Sequence, residues 1–264
     1  MTIPSSLLEL KKETIMYTFK SRVRYSEVDQ NLNLDLTSII NYFQDCSTFH
    51  GEESGNKIST LQEKNRVWVM NAWQIVIHKI PSLGDEITIS TWPYDFKAMY
   101  GYRNFLLSNK EGDTLITANS IWVYVNTENY KPVKVSEEDI TGFALEPAYA
   151  MDYAPRKITL PTDCKAYDSF QVVRSNLDMN NHVNNGQYIK MAQEFIPENC
   201  QVQQIRAEYR MSAVLGDVIL PLVCIEDNIC TVVLADTKGK PFTIVEFLFN
   251  YNTKKQKGEH QSSL

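Results

Sequence analysis

Apolar and polar residues follow two different periods along this chain, and each period predicts a type of element. From Tyr17 to Tyr25 apolar residues alternate with polar ones, which predicts a strand. In "LTSIINYFQD", apolar residues recur at i, i+3, i+4 and i+7, which predicts one apolar face of a helix. Asp35 directly precedes this segment and is the expected N-cap. The apolar face consists of Leu36, Ile39, Ile40 and Phe43.

Long apolar segments after this helix predict four strands. The turn sequences "PSLGD" and "NKEGD" separate some of them. One helix followed by an antiparallel meander predicts an α+β fold in which a sheet wraps around a central helix. The predicted strands cover residues 66–80, 85–96, 99–109 and 114–126.

The second half of the chain repeats this order of elements. "DSFQVVRSN" (168–176) predicts a strand, "LDMNNHVNN" (177–185) takes the place of the turn, and "GQYIKMAQEFIP" (186–197) predicts a helix with one apolar face. That face consists of Tyr188, Ile189, Ala192, Phe195 and Ile196. Further strands are predicted at residues 202–214, 217–227, 229–236 and 241–252.

Identical and similar residues recur at fixed spacing between the halves, which indicates a duplicated unit. The matches at a spacing of 149 pair Ser26 with Ser175, Asp29 with Asp178, Asn31 with Asn180, and Leu34 with Val183. "LGD" at 83–85 also recurs at 215–217. We therefore predict a first domain at 1–141, a proline-containing linker at 142–166 and a second domain at 167–252, followed by a polar, disordered tail at 253–264.

Composition and charge argue against several classes of protein. The chain has 264 residues and a formal net charge of −6, which argues against a whole-surface affinity for nucleic acid or anionic membranes. Its start lacks a signal-peptide pattern, and no window resembles a membrane span. The five cysteines are widely spaced without a CxxC, which is typical of reduced thiols. We expect a cytoplasmic protein.

The stretch "SNLDMNNHVNN" (175–185) is the candidate site, because the two copies differ there. The first copy reads Asp29-Gln30-Asn31-Leu32-Asn33, whereas the second places His182 at its fifth position. Asp178, Asn180 and His182 are spaced at i, i+2 and i+4, so an extended segment would point all three the same way. A carboxylate, a carboxamide and an imidazole suit a hydrolytic site. Asn184 or Asn185 is interpreted as a helix cap.

Other site classes are not supported by the sequence. "DMNNHVNNGQYI" resembles the start of a calcium loop, but Val183 occupies the glycine position and Ile189 the final acid position. A GxSxG elbow, a P-loop, a GxGxxG and an HExxH are all absent. We expect neither a metal nor a cofactor.

"LDMNNHVNNGQYI" resembles the signature of plant and bacterial acyl-acyl-carrier-protein thioesterases. "VWVMNAWQIVIHKIPSLGDEITISTW", Arg103 and "ANSIWVYVN" resemble the first-domain pattern of that family in the same order. The resemblance covers residues 15–252 and implies a double hot-dog fold. It also implies hydrolysis of the thioester between a fatty acyl chain and the phosphopantetheine arm of an acyl carrier protein. By this resemblance Asp178, Asn180 and His182 occupy the catalytic positions.

The chain departs from the family downstream of the histidine. A Glu-Cys pair commonly follows there, but "AEYRMSAV" places Ser212 and Ala213 at those positions. This favours attack by a water for which Asp178 is the base, with direct attack by Asp178 as the alternative. Asn180 would hold Asp178 or the water in line, and His182 would hydrogen-bond near the thioester. Glu208 would be the second carboxylate only if it shifted toward the site.

Two other functions remain open from the sequence: an acyl-CoA thioesterase and a non-catalytic acyl-binding protein. The chain would be a monomer or a homodimer. Arg206 and Arg210 on one strand face, or Arg156-Lys157 in the linker, are candidates for docking an acidic carrier protein, with a solvated face as the alternative. His50 is interpreted as a structural residue near a helix C-terminus, where a cation is favourable.

Overall fold

The computed structural model describes residues 16–251. Within them lie three α-helices, at Leu36–Glu53 (α1), Ile58–Glu63 (α2) and Asn185–Gln193 (α3). The strands of the first half are β1 (Tyr17–Arg22), β2 (Arg66–Ile77), β3 (Glu86–Lys97), β4 (Tyr100–Asn109) and β5 (Thr114–Asn126). Those of the second half are β6 (Lys165–Ala166), β7 (Phe170–Gln171), β8 (Cys200–Tyr209), β9 (Val218–Glu226), β10 (Ile229–Ala235) and β11 (Pro241–Tyr251).

One antiparallel sheet runs through both halves of the described chain. Its order is β1-β3-β4-β5-β2-β8-β11-β10-β9-β6, and β7 pairs with β9. The halves join where β2 pairs with β8, and Gln74 lies opposite Arg206 at the centre of this junction. The order of strands in one half mirrors the order in the other, so an approximate twofold axis passes between β2 and β8. The predicted α+β fold with a duplicated unit is confirmed.

The helices α1 and α3 lie on one face of the sheet and contact each other. Ile39, Ile40 and Phe43 are completely buried in the core, as the apolar face of α1 predicts. The Asp35 carboxylate accepts a hydrogen bond from Ser38 N–H at 2.7 Å and is therefore the N-cap of α1.

Helix α3 is shorter than predicted. Tyr188, Ile189 and Ala192 are buried, but the helix ends at Gln193. Phe195 N–H bonds to Ala192 O at 3.2 Å, an i to i−3 bond that tightens the last turn. Pro197 then follows, and the residue before a proline disfavours helical geometry.

The strand predicted at residues 168–176 is mostly wrong. Only the two residues of β7 pair with the sheet, and a 3₁₀ turn at Arg174–Asn176 follows. The Asn176 side chain accepts a hydrogen bond from Val173 N–H at 2.9 Å, so a local side-chain bond replaces the ladder.

The linker is an ordered strap across the other face of the sheet, at the junction of the halves. Gln74 donates to Asp152 O at 2.8 Å and accepts from Ala154 N–H at 2.8 Å. Arg206 donates to Pro155 O at 2.7 Å. Side chains from both halves therefore bind the strap. The domain boundaries themselves stay a prediction, and the predicted disordered tail at 253–264 lies outside the described residues.

No helix between residues 16 and 251 combines the length and apolar character needed to cross a membrane.

Candidate active site

The Asp178–His182 segment forms a tight turn just before α3. Asp178 N–H donates to His182 O at 2.8 Å, and Asn181 N–H donates to Asp178 O at 3.1 Å. The Asp178 carboxylate closes the turn, because its Oδ1 accepts from Asn180 N–H at 2.8 Å and from His182 N–H at 3.2 Å. The turn expected here is confirmed, and the extended arrangement that would point all three side chains the same way is not formed, because the carboxylate competes for backbone N–H groups and folds the chain back. Asn181 reaches a φ of 60°, which asparagine tolerates.

The first copy folds into the same turn. Asp29 Oδ1 accepts from Asn31 N–H at 2.8 Å and from Asn33 N–H at 3.0 Å. Asp29 N–H donates to Asn33 O at 2.8 Å, and Leu32 has a φ of 61°. The two backbones therefore match, and the turn does not need a histidine to form. His182 is an addition to a turn that the Asp side chain already holds.

The candidate catalytic groups keep free polar atoms. Asp178 Oδ2, the Asn180 carboxamide and the His182 imidazole make no hydrogen bond with any other part of the chain between residues 16 and 251. Asp178 and His182 are half-buried, whereas Asn180 is exposed. A water or a substrate carbonyl can therefore approach all three residues, while the Oδ1 bonds fix the carboxylate.

The N-terminus of α3 meets the first half of the chain. The Asn184 side chain accepts from Gly186 N–H at 2.8 Å, which confirms it as the N-cap. Asn185 has a different contact from the expected cap, since its Nδ2 donates to Gln44 Oε1 of α1 at 2.8 Å. A Cβ on Gly186 would lie 3.0 Å from Asn41 Oδ1, so a larger residue would require the Asn41 side chain to move. The candidate site therefore lies where α3 meets α1.

Two tyrosine hydroxyls form hydrogen bonds near the N-terminus of α3. Tyr209 of β8 donates to Asn185 O at 3.1 Å. The Tyr188 hydroxyl accepts from Ala213 N–H at 2.9 Å, and Ala213 O accepts from Val183 N–H at 2.9 Å. Burial raises the pKa of Tyr188 to about 12 and also raises the pKa of Tyr209, so both hydroxyls are neutral at ordinary pH.

Glu208 does not supply a second carboxylate to the site. Tyr209 points toward α3, and side chains alternate along a strand, so Glu208 points to the strap face of the sheet. There its Oε2 accepts from Ile158 N–H at 2.9 Å, and Arg210 donates to both of its oxygens, at 3.0 and 3.2 Å. Glu208 is buried and anchors the strap. Ser212 is exposed.

A cleft of about 370 Å³ opens between α3 and the 3₁₀ turn at Arg174–Asn176, and its lining does not include Asp178, Asn180 or His182. Its apolar side chains are Phe170, Val173 and Met191. In the first copy Tyr42 takes the place of Met191 and bonds to Glu27 at 2.7 Å across the same space. The cleft therefore lies on the copy that carries the histidine.

His50 lies away from this site and is not a cation. Its Nδ1 lies 2.8 Å from Arg103 Nη1, and both residues are buried. Burial and the Arg103 charge lower the pKa of His50 to about 4, so the ring is neutral and accepts the Arg103 hydrogen bond. The structural interpretation of His50 is confirmed, and its interpretation as a helix-end cation is wrong.

Arg206 is neither solvated nor available for docking. Its side chain is 15% exposed, pairs with Glu246 at 2.7 Å and holds the strap. Arg156 is also engaged, since it donates to Asn71 Oδ1 at 2.7 Å and covers the Tyr100 ring. Arg210 is one-third exposed but paired with Glu208. None of these three side chains forms a free basic patch.

No cluster of three or more His, Cys, Asp or Glu side chains is placed to hold a metal ion within the region covered by residues 16–251.

Two family models match the chain. The acyl-ACP thioesterase N-terminal domain matches residues 14–143, and the acyl-ACP thioesterase C-terminal domain matches residues 161–240. Together they cover most of the 264 residues.

Curated relatives agree with the family models. The chain is 25% identical over 244 residues to a chloroplastic palmitoyl-acyl carrier protein thioesterase of Gossypium hirsutum, covering 85% of this chain and 59% of the relative. It is 27% identical over 231 residues to the chloroplastic oleoyl-acyl carrier protein thioesterase 1 of Arabidopsis thaliana, covering 80% of this chain and 64% of the relative. The chain thus spans about three fifths of the length of these relatives.

Solved structures share the fold. An acyl-ACP thioesterase from Bacteroides thetaiotaomicron superposes with a TM-score of 0.81 at 21% identity, covering 89% of this chain and 98% of the other. The 12:0-ACP thioesterase from Umbellularia californica superposes with a TM-score of 0.80 at 19% identity, covering 90% and 98%. The predicted double hot-dog fold is confirmed, and the chain belongs to the acyl-ACP thioesterase family.

Proposed function

We propose that this protein hydrolyses the thioester between a fatty acyl chain and the phosphopantetheine arm of an acyl carrier protein, which ends elongation of that chain. The observation that carries the proposal is the turn at Asp178, where a histidine has been added to a backbone that the first copy forms without one. The family supports the reaction and the carrier protein as the partner.

In the proposed reaction, Asp178 Oδ2 takes a proton from a water while the water oxygen attacks the thioester carbonyl carbon. The carbonyl oxygen becomes negative in the tetrahedral intermediate, and the positive end of the α3 dipole lies next to the turn to stabilise it. The C–S bond then breaks, giving the free acid and the thiol. Thiolates are good leaving groups, so little acid catalysis is required.

Asn180 and His182 have separate roles in this scheme. The Asn180 carboxamide orients the water beside Asp178. The His182 imidazole hydrogen-bonds near the sulfur and supplies the proton that the thiolate takes up. The proton that Asp178 removed from the water then passes to the imidazole through solvent and restores both groups. The cleft between α3 and the 3₁₀ turn offers apolar side chains to the bound substrate.

The test is release of free thiol from acyl-carrier-protein and acyl-CoA thioesters of increasing chain length. Asp178→Ala should lower turnover on carrier thioesters by about 100-fold or more, as loss of a general base does. His182→Asn places the first-copy residue in the second turn, so it should lower turnover while the fold stays intact. Rapid turnover of CoA thioesters alone would instead identify an acyl-CoA thioesterase.

Acyl binding without thiol release from any substrate would overturn the proposal and identify a non-catalytic acyl-binding protein. A cytoplasmic location and a monomeric or homodimeric state stay predictions.

A further inference from the structure

Asn185 is bonded to α1 and to β8, two elements that lie outside the Asp178–His182 turn. Its Nδ2 donates to Gln44 Oε1 of α1 at 2.8 Å, and its carbonyl oxygen accepts from the Tyr209 hydroxyl of β8 at 3.1 Å. Asn185 is the first residue of α3 and the third after His182. A side chain from the first half and one from the second half therefore meet at the helix end beside the candidate catalytic groups.

The first copy has no equivalent of this arrangement. The position 149 residues before Asn185 is Leu36, and the position 132 residues before Tyr209, by the spacing of the "LGD" repeat, is Ile77. Both are apolar and pack in the core of the first half. Polar groups thus replace an apolar pair only in the copy that carries His182. A buried hydroxyl and a half-buried carboxamide are costly unless they are hydrogen-bonded. Both are bonded here, and because hydrogen bonds are directional, each also restrains the position of its partner.

The first turn of α3 lies against α1, where the buried Gly186 is close to Thr37 and to the exposed side chain of Asn41. The bond from Asn185 to Gln44 is directional and restrains the position of this turn relative to α1. Only Val183 and Asn184 separate that turn from His182, so a displacement of the helix end moves the imidazole with it.

We propose that Gln44 and Tyr209 are positioning residues for the second-copy site, and that Gln44 is the contribution of the first half to that site. Both act through Asn185, which keeps the N–H end of α3 and the Asp178–His182 turn in one fixed arrangement. The reaction they serve is the hydrolysis proposed above, so this inference rests on that proposed function.

The test compares three substitutions in the full-length protein. Gln44→Met removes the acceptor at nearly constant volume, whereas Gln44→Glu keeps it. Gln193→Met is the matched control, because Gln193 lies 149 positions after Gln44 and its side chain makes no hydrogen bond to another residue within 16–251. Gln44→Met should lower kcat about tenfold with KM within about twofold, since a misplacement of about 1 Å costs up to about 100-fold. Gln44→Glu should restore kcat to within about threefold, and Gln193→Met should leave it unchanged.

A second variant, Asn185→Leu, keeps the test valid if Gln44→Met folds poorly. Asn185→Leu installs the first-copy residue, and it should reproduce the kcat loss of Gln44→Met. The double variant should lose no more than either single variant, because both remove one bond. Unchanged kcat in Gln44→Met, or a kcat loss that Gln44→Glu does not restore, would overturn the proposal.

Backbone amide exchange over residues 178–188 separates this inference from the proposed function. Faster exchange in Gln44→Met than in Gln193→Met supports positioning even if the wild-type protein releases no thiol, in which case only the proposed function fails. Equal exchange in an active protein would overturn positioning alone.

Discussion

The two turn aspartates provide a direct test of structure against catalysis. Each Oδ1 accepts two backbone N–H groups, at 2.8 and 3.0 Å for Asp29 and at 2.8 and 3.2 Å for Asp178. We expect Asp29→Ala and Asp178→Ala to destabilise the fold by similar amounts, and only Asp178→Ala to stop thiol release. The comparison is internal to one molecule, so expression and assay conditions are shared.

The expected loss in free energy of unfolding follows from the number and exposure of these hydrogen bonds. Hydrogen bonds to charged groups contribute about 1.5 to 3 kcal/mol each when protected, and a capping side chain near water contributes about 1 kcal/mol. Asp29 is exposed and Asp178 half-buried. Two bonds at the lower value give a loss of about 1 to 2 kcal/mol, or about 2 to 8 °C in Tm for a chain of this size. Leu32 adds strain in the first turn, because a leucine at a φ of 61° is disfavoured.

Urea unfolding followed by tryptophan fluorescence measures the stability, and thiol release from carrier thioesters measures turnover. The two free energies of unfolding should fall by amounts within about 1 kcal/mol of each other. Asp29→Ala should keep turnover within about threefold, while Asp178→Ala should lower it by about 100-fold or more. Asp178→Asn keeps an acceptor at Oδ1 and removes the base, so it should retain stability and lose turnover.

Equal loss of turnover in Asp29→Ala and Asp178→Ala would refute this reasoning, because it would make turn integrity the only requirement. Turnover of Asp178→Asn within tenfold of wild type would refute the base role itself.

Two further predictions concern stability. The pKa of His50 is lowered from 6.5 to about 4 in the fold, so the unfolded chain binds the extra proton first as the pH falls. Neutral His50 therefore makes its full contribution to the free energy of unfolding above pH 6.5. About 2 kcal/mol of that free energy should be lost by pH 5 and about 3 kcal/mol by pH 4. Urea unfolding between pH 7 and pH 5 should show the free energy of unfolding falling with pH, and His50→Gln should make that fall smaller. Equal falls in the wild type and in His50→Gln would contradict the assignment of the pH dependence to His50. Arg206→Met should cost about 2 kcal/mol and speed proteolysis of the strap, because it releases Pro155 O and leaves Glu246 unpaired. Exposed Arg174→Met is its control, and equal proteolysis rates would contradict a role for Arg206 in holding the strap.

The sequence predicted most of the sheet because burial imposes a period on each strand. The prediction for β5 at 114–126 matches its bounds, and the apolar face of α1 is buried as expected. The strand predicted at 168–176 failed because Asn176 bonds to Val173 N–H, which hydrophobic periodicity does not register. The strap could not be predicted either, since side chains of distant strands bind its backbone.

A difference between the two copies identified the candidate site from the sequence, but it did not predict the geometry of that site. His182 stood out because Asn33 occupies its place in the first copy. The turn was expected from its place in the repeat, but the spacing i, i+2 and i+4 could not show which backbone N–H groups Asp178 binds, because alternation along a strand gives the same spacing. Glu208 could be assigned to the strap face only once Tyr209 was seen to face α3.

Comparison of the copies also separates what the fold needs from what the site needs. Both turns keep the carboxylate, the left-handed residue and the N-cap at Asp35 or Asn184, so these features are required to start a helix at this point of the sheet. The second copy alone adds His182 and the bond from Asn185 to Gln44. The bond from Asn185 joins the second copy to the first, three residues after His182. A single unit could build the turn, but only the pair of units places a second helix beside it, which gives a physical reason for a site at the junction of a duplicated fold.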